Sequence, residues 1–284
     1  MEIINRRQRM FSISRKLRRE EKTVGFVPTM GALHGGHLSL VREARAANDI
    51  VVVSIFVNPK QFNDGKDLDA YPRDLTADAE MLAEYEVDYI FAPDASEIYP
   101  SGFSTFVDVG VMTEDFEGSS RPGHFRGVGT VVTILLNTVR PDRAYFGQKD
   151  AQQAAAIRRL VTDLGFETEV VVLPTVREES GLAMSSRNTR LTAEEREKAV
   201  VIIDALRDAK REFKRGERNA ADLTTIVARR IGQEPSAVLD YAAVVDRETM
   251  QKIDRIEDSE ALIVVAARFG DVRLIDNVVL NRKQ

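Results

Sequence analysis

Cysteine is absent from this 284-residue chain. Disulfides, thiolate nucleophiles and cysteine-ligated zinc or iron–sulfur centres are thereby excluded. The absence suits a reducing compartment, and a cytoplasmic location is expected. Long hydrophobic runs are lacking too. The longest, IVVVSIFV at 50–57, falls far short of the roughly 20 apolar residues a membrane helix needs, so no membrane role is expected. Nor is there excess positive charge. A net charge of −5 at pH 7 disfavours a nucleic-acid-binding module, because a phosphate backbone calls for a basic surface. No G-x-x-x-x-G-K-[ST] phosphate loop, G-x-S-x-G elbow or G-x-G-x-x-G after the first strand-like run occurs. With no cysteine and no obviously activated serine, covalent catalysis has no good candidate.

What is present is an ordinary globular composition, 43% hydrophobic and 30% charged, long enough for one large domain or two ordinary ones. The Arg-rich segment NRRQRMFSISRKLRRE (5–20) has the look of a transit peptide. Glu2, Glu20 and Glu21 break the acid-poor pattern, and Met10, Phe11, Ile13 and Leu17 recur near helical spacing. The segment therefore reads as an amphipathic helix packed on the domain.

From there the pattern alternates. Short apolar runs at 23–30, 49–57 and 87–94 read as strands, the first two dense in β-branched residues, with helical patterns at about 37–47 and 74–85 between them. Further along, 126–139 reads as a buried helix, 142–147 as a strand, 151–164 as a helix and 168–176 as a strand. Such alternation predicts an α/β fold, a parallel Rossmann-like sheet with helices on both faces. Ligands of such sheets bind beyond the carboxyl ends of the strands, where His34, Asn58 and Lys149 fall. After about residue 176 the pattern changes. LTAEEREKAVVIIDAL (191–206) reads as a helix opened by a capping box of Thr192 and Glu195. Another helix at about 219–233 and strand-like runs at 239–245, 261–269 and 272–280 follow, the last two joined by a tight turn at Gly270-Asp271. The expected division is a Rossmann-like nucleotide-binding domain over 1–176 and a smaller C-terminal α+β domain over 177–284 that forms a lid.

Four stretches carry chemistry. In FVPTMGALHGGHLSL (26–40), His34 and His37 lie three apart in a Gly-rich turn. Zinc would need a third ligand, and neither an H-E-x-x-H pattern nor a suitable partner histidine is present, His124 being the only other one. Core histidines sit poorly among Gly31, Gly35 and Gly36. Dense glycine at a helix start lets an anion approach backbone amides, and two imidazoles suit a phosphate that gains charge in its transition state. In YFGQKDAQQ (145–153), Lys149 stands at a strand-to-helix junction, where the helix dipole disfavours an idle lysine and a polyphosphate would welcome it. Asp150 suits the N-cap there, and Gln153 follows one turn on. In GLAMSSRNTRL (181–191), hydroxyls and an arginine in a flexible segment suit a loop that closes over phosphates. In VNPKQF (57–62), Asn58 and Gln61 suit recognition of hydroxyls and carboxylates, or equally an ordinary Asn-Pro turn. The residues thus read as a site that binds a nucleoside triphosphate and promotes attack on phosphorus by position and charge.

Taken in order, VPTMGALHGGH, SIFVNPKQF, DLDAYPR, SRPGHFRGV, RPDRAYFGQKDAQQ and PTVREESGLAMSSRN resemble segments of the pantothenate synthetase (pantoate–β-alanine ligase) family over nearly the whole chain. The first looks like that family's variant of the H-x-G-H motif shared with class I aminoacyl-tRNA synthetases and nucleotidylyltransferases. The resemblance implies attack of pantoate on ATP to give pantoyl adenylate and pyrophosphate with Mg²⁺, then displacement of AMP by β-alanine. It implies ATP contacts from Met30, Gly31, Ala32, Leu33, His34, Gly35, Gly36 and His37, with His37 marked as proton donor. It further implies ATP contacts from Gly147, Gln148, Lys149, Asp150, Val176, Met184, Ser185, Ser186 and Arg187, the last four matching the synthetase K-M-S-K-S loop. Gln61 and Gln153 would bind pantoate, and Gln61 would also serve β-alanine. His37, His34 and Lys149 are the candidate catalytic groups. No metal ligand is assigned, and a homodimer is implied. Gly35 and Gln148 stand where family members commonly carry glutamate. The rival readings are a nucleotidylyltransferase, which shares the H-x-G-H logic, and a zinc hydrolase.

Overall fold

The computed structural model describes residues 1–63, 65–257 and 260–281. The chain forms two compact units, one comprising Met1–Gly147 with Ala156–Leu173, the other Gln148–Ala155 with the chain from Pro174 onward.

The first unit begins with β1 (Glu2–Ile4) and α1 (Arg7–Arg19), then β2 (Val24–Thr29), α2 (Gly35–Ala47) and β3 (Ile50–Ile55). α3 (Gly65–Asp69), α4 (Leu75–Ala83), β4 (Tyr89–Phe91) and the short α5 (Ala95–Ile98) and α6 (Glu117–Ser120) follow, then α7 (His124–Val139) and β5 (Arg143–Gly147). α8 (Ala151–Asp163) and β6 (Glu169–Leu173) complete it, the first residues of α8 belonging to the second unit. Six strands form one sheet in the order β1-β4-β3-β2-β5-β6, every pair parallel. The sheet is Rossmann-like, as the alternation predicted.

Strand periodicity decides which helix each side chain meets. Phe26, Val52, Phe91, Ala144 and Phe146 face one side, with Met10 and Ile13 of α1, Leu135 and Leu136 of α7 and Ile157 of α8. Their neighbours Val27, Val51, Val53, Ile90 and Tyr145 face the other side, with Val41 and Ala44 of α2 and Leu82 of α4. Each such fully buried aliphatic or aromatic side chain is worth about 1.5–3 kcal/mol over its exposed state. The Arg-rich N-terminal segment is the amphipathic helix expected. Met10, Ile13, Ser14 and Leu17 are buried along one stripe, and Ser14 Oγ donates to Thr138 O in α7 at 3.1 Å.

The second unit carries α9 (Ala193–Lys198), α10 (Val201–Arg215), α11 (Ala220–Ile231) and the strands β7 (Ala237–Asp246), β8 (Ala261–Phe269) and β9 (Val272–Leu280). The strands form an antiparallel sheet in sequence order. One apolar stripe of α10 (Ile202, Leu206, Ala209, Phe213) packs with Leu223 and Val227 of α11 and Ile263, Val265 and Leu274 of the sheet. Residues 191–206, expected as one helix, are two: the Thr192–Glu195 capping box opens α9, and Val201 starts α10. Gly270, at φ +55°, makes the two-residue turn between β8 and β9.

Candidate active site

The candidate groups of the first unit gather at the carboxyl end of β2. Thr29 Oγ donates to Ser54 O on β3 at 2.7 Å and accepts from Gly31 N at 3.1 Å, folding the chain back as it leaves the sheet. Gly31 and Ala32 both adopt positive φ, +79° and +51°, a conformation that needs outside support for alanine. Asp78 of α4 gives it. Its carboxylate, 4% exposed, accepts from Ala32 N at 3.1 Å and Leu33 N at 2.8 Å. A Cβ at position 31 would lie 2.7 Å from Asp78 Oδ2, so glycine is required there.

His34 is the N-cap of α2. Its Nδ1 accepts from Gly36 N at 3.1 Å. Histidine seldom caps helices, and this bond fixes the chemistry of the ring. With a backbone N–H on Nδ1, neutral His34 carries its proton on Nε2, as a hydrogen-bond donor. The pair is therefore a cap and a third helical residue, rather than two residues on one helix face. Their ring centroids are 4.1 Å apart at 37°. The first turn of α2 holds no acidic residue, which leaves its positive end available to an anion.

The turn after β3 supplies the neighbouring groups. Asn58 is 1% exposed and its four bonds define it completely. Oδ1 accepts from Tyr99 Oη at 2.7 Å and Lys60 N at 3.3 Å, while Nδ2 donates to Gly127 O at 3.1 Å and Gln61 Oε1 at 3.0 Å. Gln61 Nε2 points at Met30 Sδ, 2.8 Å away, bringing the turns after β2 and β3 together. His124 Nδ1 donates to Gln61 O at 3.0 Å, and Arg121 donates to His124 Nε2 at 3.2 Å. Burial pushes the Tyr99 hydroxyl well above the ordinary tyrosine range, so it stays protonated. Lys60 lies over the rings of Tyr99 and Phe106, 5.2 Å from each centroid.

The second unit holds the other predicted groups. Lys149 follows β5 by two residues, its Nζ 3.6 Å from Asp150 Oδ1. Lys149, Ser185, Arg187, Asn188, Arg273 and Asp276 line one pocket. Ser185 Oγ accepts from Arg187 N at 3.2 Å, and Met184 N donates to Val176 O at 3.0 Å. Arg177 grips Asp276 through two bonds of 2.6 and 3.0 Å. Gln148 Nε2 donates to Asn277 Oδ1 at 3.0 Å, and Asn277 Nδ2 donates to the carbonyls of Gln148 and Lys149 at 2.9 and 3.0 Å. Gln153, half-buried, sits in the first turn of α8; Gly147, the last residue of the first unit's opening segment, has open space where a Cβ would lie.

The sequence reading did not single out Asp78, Tyr99, Arg121 or Asn277, and treated His124 only as an absent zinc ligand. Two of them, Arg121 and His124, lie three residues apart within SRPGHFRGV. Among the described residues no group of three or more His, Cys, Asp or Glu could hold a metal ion. Among them, too, no helix is long and apolar enough to cross a membrane.

Comparison with known proteins gives a consistent answer. The family model described as pantoate-beta-alanine ligase matches residues 2–279. The chain is 49% identical over 280 residues to a pantothenate synthetase of Thermotoga neapolitana, covering 99% of this chain and 100% of the relative. It is 52% identical to that of Heliobacterium modesticaldum, at 99% of each. The crystal structure of pantothenate synthetase from Thermus thermophilus superposes with a TM-score of 0.91 at 46% identity, over 99% of this chain and 100% of that one. That of pantoate-beta-alanine ligase from Francisella tularensis, complexed with beta-gamma ATP and beta-alanine, gives 0.81 at 39% identity, over 98% and 97%.

Proposed function

The chain belongs to the pantoate-beta-alanine ligase family, and from that premise we propose that it condenses pantoate with β-alanine through a pantoyl adenylate. ATP is cleaved to AMP and pyrophosphate, and the product is pantothenate, the vitamin precursor of coenzyme A. The lid role of residues 177–284, a homodimer and a cytoplasmic location are part of the same proposal.

In the first step a pantoate carboxylate oxygen attacks the α-phosphorus, and the bond to pyrophosphate breaks with its electron pair. The carboxylate is already ionised, so no general base is needed. What the step needs is stabilisation of negative charge on the phosphoryl oxygens. His34 supports this, since its Nδ1 accepts from Gly36 N, which in the neutral ring puts the proton on Nε2 at the start of α2. That single observation carries the mechanism. His37, 4.1 Å away between ring centroids, would share the charge and, as the family pattern marks it, could pass a proton. Met30 to His37 would cradle the nucleotide, with Lys149, Ser185 and Arg187 on its phosphates and the groups of Gly147, Gln148, Asp150, Val176, Met184 and Ser186 around them. Gln61 and Gln153 would hold pantoate. In the second step the neutral β-alanine amine attacks the acyl carbon, the bond to AMP breaks and the amine gives up a proton. Magnesium would arrive on the ATP phosphates, held mainly by them and by water.

The test is mass detection of AMP and pantothenate from ATP, pantoate and β-alanine, omitting each substrate in turn. Both products should require all three. A product that retains the nucleotide would instead make the chain a nucleotidylyltransferase.

A further inference from the structure

The polarity of the Asn58 amide is set by two partners that have no choice. A backbone N–H can only donate, so Lys60 N identifies the oxygen; a carbonyl can only accept, so Gly127 O identifies the nitrogen. With those ends assigned, Tyr99 must donate to Oδ1, and Nδ2 must donate to Gln61 Oε1. The assignment passes on by one residue. Gln61 Oε1 is occupied, and Nε2 is the end left for a ligand; among the described residues it meets the weak thioether acceptor of Met30.

Resting on the ligase reading above, we infer that Tyr99 is a positioning residue for pantoate recognition, acting through Asn58 to hold Gln61 with its N–H donors toward the substrate. Gln61 then reads an acceptor oxygen, a carboxylate or the lone pair of a hydroxyl, and discriminates against an analogue that offers only a donor there. Tyr99 is well built for the task. Its ring packs at 5.0 Å from Phe103 and 6.3 Å from Phe56 between centroids, so the hydroxyl has little freedom to leave Asn58.

Tyr99→Phe removes the hydroxyl and keeps the ring. The wild-type full chain is first shown to make pantothenate; failure there overturns the ligase reading itself. In Tyr99→Phe the KM for pantoate should rise roughly fivefold to tenfold with the KM for ATP unchanged, while the melting temperature falls by no more than the few degrees that one hydrogen bond is worth. In a Gln61→Ala background the same substitution should have no further effect on pantoate, because the relay then has no end. Three results would overturn the inference in an otherwise active enzyme: an unchanged pantoate KM, an equal rise for ATP, or a full effect persisting without Gln61.

Discussion

Gly127→Ala tests whether the position of Gln61 depends on how closely α7 approaches the turn after β3. A Cβ at 127 would lie 2.3 Å from Lys60 O, 2.6 Å from Lys60 C and 2.9 Å from Gln61 N. All three atoms are backbone, so no side-chain rotation can relieve the contact. Moving Lys60 O out to 3.0 Å requires a displacement of about 0.7 Å. Two energies compete. Overpacking of this kind costs about 1–3 kcal/mol, while alanine in place of glycine inside a helix returns up to about 1 kcal/mol. The net loss of stability is therefore about 0–3 kcal/mol, or several degrees in Tm at most. The effect on chemistry should be larger, because a misplacement approaching 1 Å at a reacting substrate costs up to about 10²-fold. Steady-state kinetics should show kcat/KM for pantoate falling roughly 10- to 100-fold, alongside a modest shift in melting temperature. Gly129→Ala is the control. It makes the same helix gain, and its nearest contact is Val107 O at 3.0 Å, away from Gln61. If Gly127→Ala matched Gly129→Ala in kcat/KM for pantoate, the close approach would not be setting the geometry of Gln61.

Three other outcomes are expected. His34→Asn should keep the helix cap, since asparagine accepts from the same backbone amides, yet lose the Nε2–H donor; single-turnover adenylate formation should slow about 10²-fold with the melting temperature held. Asn277→Asp removes the donor to the carbonyls of Gln148 and Lys149 and sets a carboxylate against them, so the KM for ATP should rise about tenfold while the KM for pantoate stays. Glu97 accepts from the Arg6 side chain and from Arg7 N, which lowers its pKa from the ordinary glutamate value. Its hold on the start of α1 is thus fully present above about pH 4.3 and is lost as pH falls through the lowered value; the protection of the Arg7 amide from exchange, relative to its intrinsic rate at each pH, should fall over that range.

The parts legible in the sequence were those written locally. Alternation at 24–29 and 50–55 reads directly as strands buried on two faces, and Thr192 with Glu195 reads as a cap because both residues lie within one turn. The Gly-rich histidine turn was legible as the passage from a strand into a helix. Its support was not, because Asp78 lies 46 residues from Ala32 in sequence and Tyr99 lies 41 from Asn58. Nothing in the neighbourhood of either residue marks it, and only the folded chain pairs them. β1 escaped notice for another reason: it spans three residues, of which Ile4 alone is buried, too few to show a period. The break between α9 and α10 was hidden because helical residues occupy both sides of it.

Asn58 has one more property that follows from its place in the chain. Asparagine ages chiefly by cyclisation, in which the nitrogen of the next peptide attacks the side-chain carbonyl and ammonia is lost. Here the next residue is Pro59, whose nitrogen bears no hydrogen, and the usual succinimide cannot form. An aspartate at 58 would abolish the donor to Gln61 and to Gly127 O. The position where a spontaneous amide-to-acid change would do such harm is thus one where covalent chemistry closes the ordinary route, so the orientation of this part of the site should persist for as long as the protein itself does.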